Sequence, residues 1–168
     1  MTIKRILVPV DFSTSALRAL DYAVDFAKPL KAELTVLFVI EPIYYAMPDL
    51  AGGPMISGLI DEQQRSGRVQ LTRLQQRYAK RRVKVRALLQ TGTPYQAIVD
   101  TARRQKADLI VMGTHGRTGM AHLLMGSVAE RVVRTAACPV LTLHPGTTRR
   151  PTAARRRRST TASTARRK

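Results

Sequence analysis

Apolar positions along the chain follow two rhythms that alternate. Short runs rich in branched side chains occur at residues 3–10 (IKRILVPV), 33–40 (ELTVLFVI), 83–89 (VKVRALL), 108–112 (DLIVM) and 139–144 (PVLTLH). Their length and near-continuous hydrophobicity predict strands buried on both faces. Between them, apolar residues recur at helical spacing. Ala16, Leu17, Leu20, Ala23, Val24 and Ala27 follow Ser13, a suitable helix cap. Residues 59–82 predict a longer, more polar helix with Val69, Leu71, Leu74 and Tyr78 facing inward. Pro94 opens a third helix through Ala97, Ile98, Thr101 and Ala102, proline being preorganised for a first helical turn. Ser127-Val-Ala-Glu130 has the form of a capping box, which predicts a fourth helix with Ser127 as its cap.

Strands alternating with helices imply right-handed crossovers and a parallel sheet covered on both faces. The expected fold is an open, Rossmann-like α/β sandwich of five strands and about four helices. Ligands in such sheets bind beyond the carboxyl ends of the strands. The segments that follow strands therefore carry the chemistry, and the richest is GTHGRTGMAHLLMGS, residues 113–127. Gly113, Gly116, Gly119 and Gly126 share this one connection, which ends at a helix start. Glycines admit close approach by a ligand, and free N–H groups at a helix start attract anions, so the segment reads as a phosphate cradle. It lacks the Gly-Lys-Ser/Thr of a Walker A loop and the spacing of the G-x-G-x-x-G dinucleotide fingerprint.

Composition adds a boundary. The 168 residues carry 29 Lys+Arg against 11 Asp+Glu, a net charge of +18, and nine of those cations with no acid lie in residues 147–168. That segment is otherwise Thr, Ser and Ala with one Pro, and has no large apolar residue to offset the entropy of ordering. It is expected to be a disordered basic tail behind a folded domain at 1–146. Such a tail can hold nucleic acid or another polyanion by counterion release, without sequence readout. The single Cys, Cys138, excludes a disulfide framework or a multi-cysteine zinc site, and no apolar run reaches the ~20 residues of a membrane span. The simplest expectation is a cytoplasmic protein with a reduced thiol. Lys80, Arg81, Arg82, Lys84 and Arg86 read as a solvated basic face, His115, His122 and His144 as loop or structural residues, and residues 41–58 as a loop long for a compact domain and a candidate lid.

The spacing Gly113-x2-Gly116-x9-Gly126-Ser127 resembles the motif of the universal stress protein family, of its ATP-binding type. The resemblance extends over residues 1 to about 145, through ILVPVDFS, LFVI, TGTP, ADLIVMGTHGRTG and LLMGSVAERVVRTAACPVLTL in that order. It implies an adenine nucleotide alpha hydrolase-like fold and an ATP site. Asp11 would stand near the ribose and a Mg2+ or Mn2+ ion carried with the nucleotide, and Pro9 and Val10 would line the same cleft. Val39 would address the adenine edge through its backbone, and Gly113 would lie against the ribose after Met112. Gly116, Gly126, Ser127 and Val128 would receive the phosphates, with Arg117 as a further phosphate contact. The family also implies a homodimer through the last strand, Pro139 to Leu143. The resemblance leaves three functional classes open: an ATP-binding stress-response or signalling module, a slow ATP hydrolase without an evident water-activating base, and a dimeric platform for non-specific nucleic-acid binding through two basic tails.

Overall fold

The computed structural model describes residues 2–41, 54–81, 83–114 and 125–144. Five strands and four helices alternate: β1 (Arg5–Val10), α1 (Thr14–Leu30), β2 (Glu33–Ile40), α2 (Pro54–Ala79), β3 (Val85–Thr91), α3 (Pro94–Arg104), β4 (Leu109–Gly113), α4 (Ser127–Thr135) and β5 (Val140–Leu143). All strand pairings are parallel, in the order β3-β2-β1-β4-β5. The expected open sandwich is the observed fold, a Rossmann-like α/β architecture. The basic tail beyond Leu143 and His144 lies outside the described residues.

The period-2 alternation of each strand sorts its side chains between two cores. Ile6, Val8 and Val10 of β1, Leu34 and Val36 of β2, and Leu109 and Val111 of β4 pack on one face under α1 and α2. Leu7, Leu37, Ile110 and Met112 turn to the other face, under α3 and α4. Helix α1 supplies Ala16, Ala19, Leu20, Ala23, Val24 and Ala27 to the first core, and its small residues let it lie close to the sheet. Ser13 caps it as expected, its Oγ accepting from the Ala16 N–H at 3.2 Å.

Helix α2 begins at Pro54, five residues before the expected start. Leu71, Leu74 and Tyr78 are buried as expected, at 4, 8 and 0% exposure, but Val69 is 45% exposed. The inward position one turn before Leu71 belongs to Gly67. Two residues from Leu71 is about 200° around the helix, so Val69 could not have shared its face. Of the expected basic face, Arg81 reaches Asp21 and Asp25, and Lys84 and Arg86 reach Glu33, all at the surface; Arg77, outside that set, also reaches Asp21. No helix among the described residues is long and apolar enough to cross a membrane.

Candidate functional site

Strand order reverses at β1, which is paired on one side with β2 and on the other with β4. The two ladders differ in length. β1 pairs with β2 from Arg5 to Val10, whereas its register with β4 is confined to Ile6↔Leu109 and Leu7↔Ile110. The β1–β4 register ends at Leu7, and beyond it a crevice opens at the carboxyl end of the sheet, where an open α/β fold binds ligand. It continues into a cleft of about 910 Å³, near the upper end of the range for small-molecule sites.

Most of the residues expected from sequence meet here. Pro9, Val10 and Asp11 enter from the end of β1, Val39 from β2, and Met112 and Gly113 from β4. Gly126, Ser127 and Val128 enter from the start of α4. Gly116 and Arg117 lie outside the described residues, as do His115 and His122.

The Asp11 turn has a local cause. Asp11 Oδ1 accepts the Ser13 N–H at 3.0 Å, an Asx turn that holds the carboxylate at the foot of α1. Phe12 between them has φ 62°, a left-handed conformation that is unusual outside glycine and asparagine. Its ring meets Phe38 edge-on, with centroids 4.7 Å apart, which holds the strained residue in place. Across the crevice, Gly113 stands so close to α1 that an added Cβ would lie 3.1 Å from the Ser15 carbonyl carbon.

The start of α4 corrects one expectation. Gly126, not Ser127, is the cap residue, with φ −71° and ψ 153°, and Ser127 is the first helical residue. Gly126 is pinned there because its N–H donates to the Thr114 carbonyl at 2.6 Å and its own carbonyl accepts from the Glu130 N–H at 3.0 Å. Glu130 faces Arg134 at 3.6 Å rather than reaching back to close a box. Among the described residues no side chain caps this end, and Gly126, Ser127 and Val128 line the cleft, so the positive end of the helix dipole faces it.

Sequence reasoning missed one wall. Gln63, Ser66, Gly67 and Gln70 of α2 line the cleft, as do Pro94 and Ile98 of α3. The signal was present in the spacing, since Gly67 and Gln63 lie four and eight residues before Leu71. Polar side chains on an inward stripe hid it. Among the described residues no cluster of three or more His, Cys, Asp or Glu is placed to hold a metal ion. Asp11 alone suits a divalent ion carried in on phosphates, because Mg2+ commonly takes only one or two carboxylates beside the phosphate oxygens. Cys138 is half-buried among the α3 and α4 side chains, and burial, with the nearby Asp108 charge, raises its thiol pKa.

Fold and cleft together define an open parallel α/β protein with a cleft at its topological switch point. Comparison with known proteins gives the family: residues 2–144 match the universal stress protein family, and the chain belongs to it. It is 37% identical over 139 residues to Universal stress protein MJ0531 of Methanocaldococcus jannaschii, covering 82% of this chain and 80% of that one. Universal stress protein UspA from Lactobacillus plantarum superposes with TM-score 0.77 at 31% identity, over 85% of this chain and 99% of that one. A universal stress protein in complex with cAMP superposes with TM-score 0.64 at 27% identity, over 86% and 99% of the two chains.

Proposed function

We propose that this protein is a nucleotide-responsive stress module whose cleft binds an adenine nucleotide, ATP foremost, with Mg2+ or Mn2+ accompanying the phosphates. The observation that carries the reading is the convergence of Asp11, Val39, Gly113 and the start of α4 on one cleft at the switch point. Phosphates suit the Gly126–Ser127–Val128 turn, where N–H groups and the helix dipole favour anions. Gly116 and Arg117 complete that cradle in this reading. The Asp11 carboxylate suits a ribose hydroxyl or the accompanying ion, and the Val39 backbone suits the base. The cAMP complex of a relative at 27% identity supports an adenine ligand.

The role is binding rather than efficient turnover. Hydrolysis would need a positioned water and a group to orient it, and Asp11 is the sole acid among the residues expected to hold the nucleotide. We further assign a homodimer through β5, an edge strand that needs a partner or a cover, and a cytoplasmic location. The basic tail at 147–168 would act separately as an anchor for nucleic acid or another polyanion. The test is mass spectrometry of the small molecules released on denaturing freshly purified protein, repeated after incubation with ATP and magnesium. Recovery of ATP or another adenine nucleotide supports the reading. A chain that carries no nucleotide and refuses added ATP overturns it.

A further inference from the structure

All strand pairings are parallel, so every strand ends at the edge of the sheet where the cleft opens. The last of them, β5, delivers the chain beyond His144 to that same edge, one strand spacing or about 5 Å from β4. Register sets Leu143 beside Gly113, which lines the cleft. Hydrogen bonds carry the connection onward to α4. The Leu143 carbonyl accepts the Thr114 N–H at 3.0 Å and the Thr114 hydroxyl at 3.3 Å, and the Thr114 carbonyl accepts the Gly126 N–H at 2.6 Å. The root of the basic tail is thus bonded, through one residue, to the cap of α4, the end assigned to the phosphates.

That end of the cleft lacks positive side chains. The described residues that line it include two carboxylates, Asp11 and Glu41, and no Lys, Arg or His. The dipole of α4 amounts to about half an elementary charge, far less than a triphosphate carries. The remaining compensation falls to the accompanying ion and to cations on segments that reach the cleft, of which Arg117 is one in the reading above. Arg149 and Arg150 lie five and six residues beyond His144. An extended chain covers up to about 3.3–3.6 Å per residue, so these two guanidinium groups reach well past the single strand spacing between β5 and β4. A group tethered this closely acts at an effective concentration on the order of millimolar. The next cations, Arg155 to Arg158, stand behind Pro151-Thr-Ala-Ala154 on a connection twice as long, where that concentration is lower.

Resting on the nucleotide reading above, we propose that Arg149 and Arg150 complete the phosphate end of the cleft and make the site prefer a nucleoside triphosphate to the monophosphate. The cations from Arg155 onward stay with the polyanion anchoring assigned to the tail. The test is calorimetric titration of the full-length chain with ATP and with AMP in magnesium, in the wild type, in R149A/R150A and in R155A/R156A/R157A/R158A. R149A/R150A should weaken ATP about 5- to 10-fold, as the loss of two exposed ion pairs would, and bind AMP as the wild type does. The quadruple variant removes twice the charge and should weaken ATP less. Added salt should bring the wild type's ATP affinity toward that of R149A/R150A, since exposed pairs are screened. An ATP affinity equal to the wild type's in R149A/R150A, an equal loss of AMP, or a larger loss of ATP in the quadruple variant overturns the proposal while leaving the nucleotide reading intact. A wild type that binds neither nucleotide overturns both.

Discussion

The Tyr78 hydroxyl donates to Asp21 Oδ1 at 2.7 Å, joining α2 to α1 on the outer side of the first core. The ring is fully buried while the guanidinium groups of Arg77 and Arg81 lie 5.4 and 5.7 Å from its centre. Both arginines also face the Asp21 carboxylate, at 3.8 and 4.0 Å. This joint fixes the carboxyl-terminal half of α2, and the other half walls the cleft. Burial of the phenol, reinforced by its bond to Asp21, pushes its pKa up from 10.0 to about 12.

Tyr78→Phe is expected to destabilise the chain by about 1 kcal/mol, the net worth of one hydrogen bond, seen as a lower urea midpoint. The phenol's folded pKa is raised above its unfolded value. The associated stability is therefore complete below pH 10 and is lost as pH rises through about 12. Alkaline titration should show that loss in the wild type and not in Tyr78→Phe.

Asp108 offers the opposite sign. Its carboxylate accepts the backbone N–H groups of Lys4 at 2.9 Å and Arg5 at 2.8 Å, together with the Arg5 guanidinium at 3.3 Å. The Lys4 backbone bond, then the Arg5 side chain, lower its pKa from the usual 3.8. Its contribution is present above that value and lost as pH falls through the lower folded one. Asp108→Asn should cost about 1–2 kcal/mol at neutral pH, and the difference from wild type should shrink in acid unfolding below about pH 4.

Gly113→Ala tests the narrowest part of the crevice. The neighbouring atoms, at 3.1 and 3.2 Å from the added carbon, include the Ser15 backbone, which cannot rotate away as a side-chain tip would. A cost of about 1–3 kcal/mol in stability is expected from such overpacking, with weaker nucleotide binding as β4 and α1 move apart. Thermal unfolding with and without ATP separates the two effects.

Gly116→Val combined with Gly126→Val should abolish nucleotide binding, because side chains there would fill the space assigned to the phosphates. Asp11→Ala should weaken binding more in magnesium than in EDTA. Affinities equal to wild type in titration would remove those residues from the site.

Much of this was legible from the chain alone, for a physical reason. Strands buried on both faces write themselves as apolar runs, so β2 is found at residues 33–40 as expected and the other four strands lie within two residues of expectation. Ser13 was legible as a cap because nothing else competes for the first N–H groups of α1. Ser127 was misread because the decisive bond, from the Gly126 N–H to the Thr114 carbonyl, comes from a strand end that pattern does not place. The α2 wall was hidden for a related reason. Gln63, Ser66 and Gln70 look like solvent-facing residues until the helix is laid across the sheet, and Gly67, the residue that lets it lie there, has no side chain to register in a hydrophobic pattern.

The Asp108 carboxylate grips the Lys4 and Arg5 backbone at the edge of the sheet opposite the cleft. Strands β1 and β4 are thus riveted at their amino ends, and their register stops at Leu7↔Ile110. The mouth of the cleft therefore sits beyond the end of that ladder, on a root that Asp108 pins to the start of β1.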